Sequence, residues 1–542
     1  ERRESRAPEF RQSPRPESPY FTEDMRETHT IVAPQMAPLH FSIMEAAVNS
    51  AGYRLQVLPV VSRRAIELGL NYVHNDACYP AIVVIGQMLD ALFNGRCDPQ
   101  RTALMLAQTC GPCRASNYPA LLRKALQEAG FPQVPILTLS SGSLNKQPGF
   151  KMSGSMLHRM ILSCLYGDML QRVSMSCRAN ELHKGDTDAL LERWTQRARE
   201  VAGKGDTRAF RKDMRRIVED FTKIPRDGVI RPKVGIVGEI LLKYHPDANN
   251  HVAQHIMDEG GEPVLTDIMD FFLYCFMDPM YRWKRLGGRI LPALGSWLFI
   301  MRVEMLRASM RKALEGSIFM PVSRIRHLSH SVKGIISRGN QAGEGWLLTA
   351  EMLELIHSGT NNIVCAQPFG CLPNHIVGKG MVNKIRALYP AANITPIDYD
   401  PSATKVNQEN RIKLMLAVAK EAGKKPELEE ADLVRFPAII ADTIAARGKA
   451  KVGDKTILDA LVPFAETLEK LSADNVSFAQ AWREAAAAAE KGMEGTKGMT
   501  AKTGRAKWLD GRNKEYPDGG AVLCVKVVQR LAEPECGEVQ GE

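Results

Sequence analysis

A chain of 542 residues with 44% hydrophobic content is long enough for about three or four domains with ordinary buried cores. Its 71 Lys and Arg exceed its 61 Asp and Glu, for a formal charge of +10, yet the two signs are interspersed. That scatter excludes a nucleic-acid-binding stripe and leaves a small anionic ligand compatible.

In chain order, residues 1–27 are rich in Arg, Glu, Ser and Pro without an apolar face and are expected to form a disordered tail. From residue 28, short β-branched runs alternate with amphipathic helices. Ile31-Val32-Ala33 leads to a helix near Phe41–Asn49, Leu55-Gln56-Val57-Leu58 to one near Arg63–Leu70, and Ala103-Leu104-Met105-Leu106 to one over Asn117–Ala129, before Val134-Pro135-Ile136-Leu137. A charged helical stretch over Met156–Phe221 completes a first lobe, 28–230.

The alternation restarts in a second lobe, 231–416, with Lys233–Glu239, Ile363–Cys365 and Ile394–Asp398 as strands. Its longest apolar run, Ile290 to Met301, is bounded by Arg289 and Arg302 and is too short to span a bilayer; it reads as a core helix, and no membrane partner is expected. After a linker at 417–430, residues 431–532 are helical and Ala-rich, followed by a tail at 533–542. The expected fold class is α/β: two Rossmann-like parallel-sheet lobes with a cleft between them, then a partial all-α segment.

Eleven cysteines without disulfide-type spacing or a preceding signal peptide read as reduced thiols of a cytoplasmic protein. Three of them, Cys78, Cys113 and Cys371, each sit between a strand-like run and a helix start. Free backbone N–H groups and the positive dipole end at such a position favour thiolate and suit an anionic iron–sulfur cluster. Three ligands would leave one iron open to water or a substrate oxygen. Buried structural thiols are the plainer fate of cytosolic cysteine, and Cys110 and Cys365 are read as packing or supporting residues.

His245 and His251 follow the second lobe's first strand, where a ligand would sit, and are candidates for substrate positioning or proton transfer. Further on, Lys449-Ala450-Lys451-Val452-Gly453-Asp454-Lys455-Thr456 precedes a helix start at Ile457. Such a turn can seat a nucleotide, and a plain helix cap by Asp454 would look the same.

Taken together, Asn75-Asp76-Ala77-Cys78-Tyr79-Pro80, Cys113-Arg114-Ala115-Ser116-Asn117-Tyr118, Val234 through Ile240, His245 through His251, Gly339 through Trp346 and Gln367 through His375 carry a resemblance over about 28–416. This stretch resembles the activase-associated component of the 2-hydroxyacyl-CoA dehydratase family, relatives of 2-hydroxyglutaryl-CoA dehydratase and benzoyl-CoA reductase. The resemblance implies a 4Fe-4S cluster on Cys78, Cys113 and Cys371. It would take an electron from an ATP-dependent activase, a domain or separate chain, and pass it to a CoA thioester substrate in a radical dehydration or reduction. The activase domains that such long forms carry upstream are expected to be missing.

Residues of about 431–532 resemble a second family, the nucleotide-binding L subunit of dihydroxyacetone kinase (glycerone kinase), a DhaL-like all-α barrel. Arg447 through Leu461, Gly495-Thr496-Lys497, Gly504-Arg505-Ala506 and Pro517-Asp518-Gly519-Gly520-Ala521 carry it. The resemblance implies ATP or ADP lined by Gly448, Ile457, Arg505 and Asp518 beside Gly453, Asp454, Lys455 and Thr456, and a dihydroxyacetone-binding kinase subunit as partner. Nothing before Arg447 matches that family's magnesium-holding aspartate loop, so an incomplete magnesium site and no kinase activity are expected. The leading expectation is thus an iron–sulfur lyase or oxidoreductase component; the alternatives are a kinase-like module and an inert fusion of two incomplete reading frames.

Overall fold

The computed structural model describes residues 19–59, 61–74, 77–109, 113–139, 147–403, 405–424, 430–474, 476–503 and 513–532. It divides the chain into two compact units, 1–416 and 417–542.

The first unit is mixed α/β with two four-stranded, all-parallel sheets. Strands β1 (Thr30–Ala33), β2 (Leu55–Val57), β3 (Thr102–Ala107) and β4 (Ile136–Leu139) lie in the order β2-β1-β3-β4. Strands β5 (Lys233–Gly238), β6 (Glu262–Leu265), β7 (Asn362–Pro368) and β8 (Asn393–Tyr399) repeat it as β6-β5-β7-β8. In each sheet the order reverses beside the first strand, which opens a crevice at the carboxyl ends. Strand β6 escapes a reading from composition because it is a short edge strand containing Pro263, a residue that cannot donate to the ladder.

The central strands β1, β3, β5 and β7 are largely buried runs, and Val32, Leu104, Val234 and Val364 all belong to one core. The expected helical stretch resolves into Gly154–Asn180, Asp186–Lys204 and Thr207–Thr222. Ser153 caps the first by accepting from the Met156 amide, and Asp206 caps the third through Arg208 and Ala209. Midway along the first, Asp168 accepts from the amides of Ile268 (2.8 Å) and Met269 (3.2 Å), capping the helix Ile268–Arg285.

Two expectations need correction. Residues 1–18 lie outside the described part, but Phe21 is fully buried against Ile31 and Met156, so the expected tail does not extend to 27. The run from Ile290 begins a helix, Ile290–Leu314, that is not enclosed in the core: Ala293, Ser296, Ile300 and Val303 are buried while Leu291 and Leu298 are 70% and 54% exposed. Run length measures apolar content and does not say how many faces are covered.

The second unit is helical in its described residues, with helices Glu430–Gly448, Leu458–Ala473, Phe478–Gly495 and Gly519–Ala532. Phe464, Leu468, Ala485 and Val525 share its core, and the Trp482 indole donates to the Val528 carbonyl at 2.9 Å. Among the described residues no helix is long and apolar enough to cross a membrane.

Candidate functional site

Each expected ligand thiol stands at the N-cap of a helical segment: Cys78 before Tyr79–Phe93, Cys113 before the 3-10 turn Arg114–Asn117, and Cys371 before Leu372–Val377. Cys113 follows β3 and Cys371 follows β7, the equivalent strands of the two sheets. Cys78 Sγ lies 2.9 Å from the Tyr118 hydroxyl. A Cβ built on Gly343 would meet the Pro373 ring at 3.0 Å and Cys113 Sγ at 3.8 Å, so the Cys113 and Cys371 loops meet across this glycine.

Two carboxyls, which no motif reading singled out, lie beside the thiols: half-buried Glu239 and buried Glu344. Glu239 caps the helix Ile240–Tyr244 by accepting from the Leu242 amide at 3.0 Å. Glu344 accepts from the Ile240 amide (3.3 Å) and from Asn374 Nδ2 (2.8 Å), and that same nitrogen reaches Cys371 Sγ at 3.3 Å. Burial pushes the Cys78 thiol up to about 11; burial and the neighbouring Glu344 also push up Cys113 and Cys371. Burial, then the charge of Glu344, raises Glu239 to about 8.

Burial and the acidic neighbours thus favour the thiol form, against the thiolate expected at helix starts. Among the described residues no three His, Cys, Asp or Glu side chains are grouped so as to hold a metal ion. As placed, Cys78, Cys113 and Cys371 do not form such a group. Cys365 is fully buried in β7, as its packing reading expects, while Cys110 lies outside the described residues.

His245 is fully buried, and burial lowers its basicity. Its Nδ1 accepts from the Ala248 amide at 3.4 Å, and its Nε2 has no hydrogen-bond partner among the described residues. His251 takes a left-handed φ of 58° and leaves its ring 54% exposed, with Nε2 3.1 Å from Asp247 Oδ1. Asp247 Oδ2 lies 4.0 Å from His245 Nδ1, so one carboxylate stands between the two rings.

In the second unit, the loop between helices Glu430–Gly448 and Leu458–Ala473 is built around a residue the motif reading passed over. Asp459 is buried and accepts from the Gly453 amide at 2.5 Å and the Thr456 amide at 2.7 Å. Gly453 has φ +91°, a left-handed conformation that glycine adopts without strain. Asp454 does not cap the following helix; it accepts from the Lys451 amide at 3.0 Å, with the Lys502 ammonium 3.6 Å away. The Leu458 amide is instead bound by Thr456 Oγ1 at 3.2 Å. Lys455 is 1% exposed, and its ammonium donates to the carbonyls of Met499 (3.2 Å), Asn513 (2.8 Å) and Tyr516 (2.9 Å).

Opposite the loop, Asp518 caps the helix Gly519–Ala532 by accepting from Ala521 at 2.9 Å, and Thr496 Oγ1 accepts from the Asp518 amide at 2.8 Å. A Cβ on Gly520 would meet Asp518 Oδ1 at 3.0 Å and Ile457 Cβ at 3.2 Å. Ile457 and Asp518, distant in sequence, thus flank one helix N-terminus, which opens on two glycines. Gly448 closes the preceding helix, and a Cβ built on it would meet Ala450 Cβ at 3.6 Å. Arg505 lies outside the described residues.

Residues 413–533 match the DAK2 domain family. Over 101 residues the chain is 38% identical to the D-erythrulose kinase of Mycolicibacterium smegmatis, covering 19% of this chain and 17% of the relative. It is 39% identical over 92 residues to the PEP-dependent dihydroxyacetone kinase ADP-binding subunit DhaL of Escherichia coli, covering 17% and 44%. Over 86 residues it is 34% identical to the human triokinase/FMN cyclase, covering 16% and 15%. The chain spans less than half the length of these relatives. All three are similar to its C-terminal part and all are of the dihydroxyacetone and erythrulose kinase family. That finding overturns the expectations of a lyase or oxidoreductase component and of a C-terminal segment without kinase activity.

Proposed function

We propose that the C-terminal unit is an adenine-nucleotide-binding phosphotransferase module of the dihydroxyacetone-kinase type, working with a partner subunit that holds a small ketose such as dihydroxyacetone or erythrulose. The observation that carries it is the Asp459-clamped loop over 453–456, with Ile457 and Asp518 flanking the helix start at Gly519-Gly520. A helix that opens on two glycines lets a ligand approach its backbone N–H groups and positive dipole end closely, which suits phosphate oxygens. Ile457 offers an apolar edge for a base. The test is calorimetric titration of the full chain with ADP and magnesium, followed by ADP release from ATP with a dihydroxyacetone-binding subunit added. Saturable binding at micromolar ADP and turnover above that of the subunit alone are expected. Absence of ADP binding removes the proposal.

A second reading, for the first unit, is favoured by one observation: thiols from three distant loops lie near one carboxyl, Glu239, and two of them, Cys113 and Cys371, also near Glu344. We propose that Cys78, Cys113 and Cys371 form a site for a thiophilic metal group, the expected iron–sulfur cluster among them. Their present spacing is not a ligand set, so metal arrival must draw in and deprotonate the thiols. Anaerobic reconstitution followed by iron and sulfide analysis is expected to find metal in the wild type and little in the triple Cys→Ser variant. Equal metal content in both would dismiss the site.

A further inference from the structure

Polar side chains at every fourth position of the helix Gly154–Asn180 tie it to β6 and the residues that follow. Asp168 accepts from the Ile268 and Met269 amides, Arg172 donates to Asp267, Ser176 donates to Glu262 Oε1 at 2.7 Å, and Asn180 donates to Glu262 Oε2 at 2.9 Å. Residues four apart share a helix face, so these form one polar stripe beside an edge strand. Where Arg172 and Ser176 face β6 the packing leaves a cavity of about 250 Å³, lined also by Glu262, Lys233, Ser358 and the loop over 317–321. That is the room of about eight water molecules, enough for a small molecule and too little for a nucleotide. Lys233 and Ser358 are exposed and mark its mouth.

The lining has used its acceptors and kept donors. Both Glu262 oxygens are taken, and the Ser317 and Ser358 hydroxyls donate to the carbonyls of Leu314 (2.8 Å) and Leu355 (2.7 Å). The Arg172 side chain is 6% exposed; its terminal nitrogens donate to Met320, Pro321 and Asp267, and its Nε has no hydrogen-bond partner among the described residues. A ligand therefore has to bring acceptor oxygens. Charge limits how many negative charges it carries. Arg172 is already paired with Asp267, with Glu354 also near it, and Glu262 stands in the wall, so among the described residues of the lining Lys233 is the cation left for a ligand. The rest of the wall is hydrocarbon, from Val264, Ile318 and Phe319.

We propose that this cavity binds a small monocarboxylate with a short hydrocarbon chain, its carboxylate toward Lys233 and Arg172 and its chain along Val264, Ile318 and Phe319. Lys233 and Glu262 begin their strands, so the site lies at the amino ends of the second sheet, whereas Cys371 follows the carboxyl end of β7. The ligand is thus an effector and not a substrate of the thiol site. Touching the helix and the edge strand together, it favours the arrangement in which they are packed.

The test is titration calorimetry of the full chain with hexanoate, with hexanol and inorganic phosphate as comparisons, repeated on Lys233→Glu and Ser358→Trp. Both substitutions fall at exposed positions outside the polar stripe, so the fold is kept. Hexanoate is expected to bind saturably at sub-millimolar concentration, hexanol at least about tenfold more weakly, and phosphate not at all. Lys233→Glu is expected to raise the hexanoate dissociation constant about tenfold, and Ser358→Trp, which sets an indole in the mouth, to abolish binding. Bound hexanoate is also expected to slow hydrogen exchange in peptides over 172–180, 260–266 and 316–322. No saturable hexanoate binding, equal affinity for hexanol, tighter binding of phosphate, unchanged binding in either variant, or protection confined to other peptides would each overturn the proposal.

Discussion

Asp459→Ala is expected to weaken ADP binding by the full chain about 100-fold while leaving the helices of the second unit folded. The Asp459 carboxylate holds the Gly453 and Thr456 amides together, and hydrogen bonds to a charged group contribute about 1.5–3 kcal/mol each. Alanine is the best helix former, so the second residue of the helix Leu458–Ala473 does not suffer from the exchange itself. What is lost is loop order. A loop competent to bind for only a small fraction of the time reduces the apparent affinity by that fraction, and about 2.7 kcal/mol corresponds to 100-fold. Asp459→Asn, which keeps one acceptor oxygen and loses the charge, should fall between wild type and alanine. Titration calorimetry of the three proteins decides it: equal dissociation constants would mean that the loop is ordered without Asp459 or plays no part in holding the nucleotide.

Why the sequence points to Asp454 and not Asp459 is instructive. Both carboxylates lie within one short motif, and the residue types cannot say which one turns inward. The choice is made by backbone geometry, with Gly453 and Lys455 both at positive φ, which sends the two amides toward Asp459. Similar limits apply in the first unit. The strands beginning at Ile31, Ala103, Lys233 and Ile363 are legible because parallel strands covered on both faces are mostly apolar runs, whereas β6 is not, because Pro263 and its edge position leave no such run.

The placement of Cys78, Cys113 and Cys371 at helix starts can be anticipated, since loops that follow strands lead into helices. Their protonation cannot. It depends on Glu239 and Glu344, which come from separate loops and are set beside the thiols only by tertiary packing. The helix from Ile290 shows the same distinction at larger scale: the apolar content is visible in the sequence, while the exposure of Leu291 through Met305 depends on which neighbours the fold supplies.

Lys455→Met is expected to loosen the second unit in the absence of any nucleotide. A lysine in a glycine-containing turn reads as a phosphate contact, yet this ammonium is enclosed and donates to three carbonyls from Met499, Asn513 and Tyr516. Methionine fills a similar volume and supplies no donor. Three carbonyls left without this partner, at about 1–3 kcal/mol each, amount to a large part of the 5–15 kcal/mol that holds a typical domain together. Lys455→Arg should restore little, because a planar guanidinium cannot converge on three carbonyls as a compact ammonium does. Hydrogen exchange of the full chain, read by mass spectrometry on peptides from 449–461, 496–503 and 513–525, is the measurement. Lost protection in these peptides without ligand marks Lys455 as the staple that fixes the loop carrying Asp459 against the helix start at Gly519. Unchanged protection without ligand, together with loss of the protection that ADP adds, would instead make Lys455 a phosphate contact and require its ammonium to leave the carbonyls when nucleotide binds.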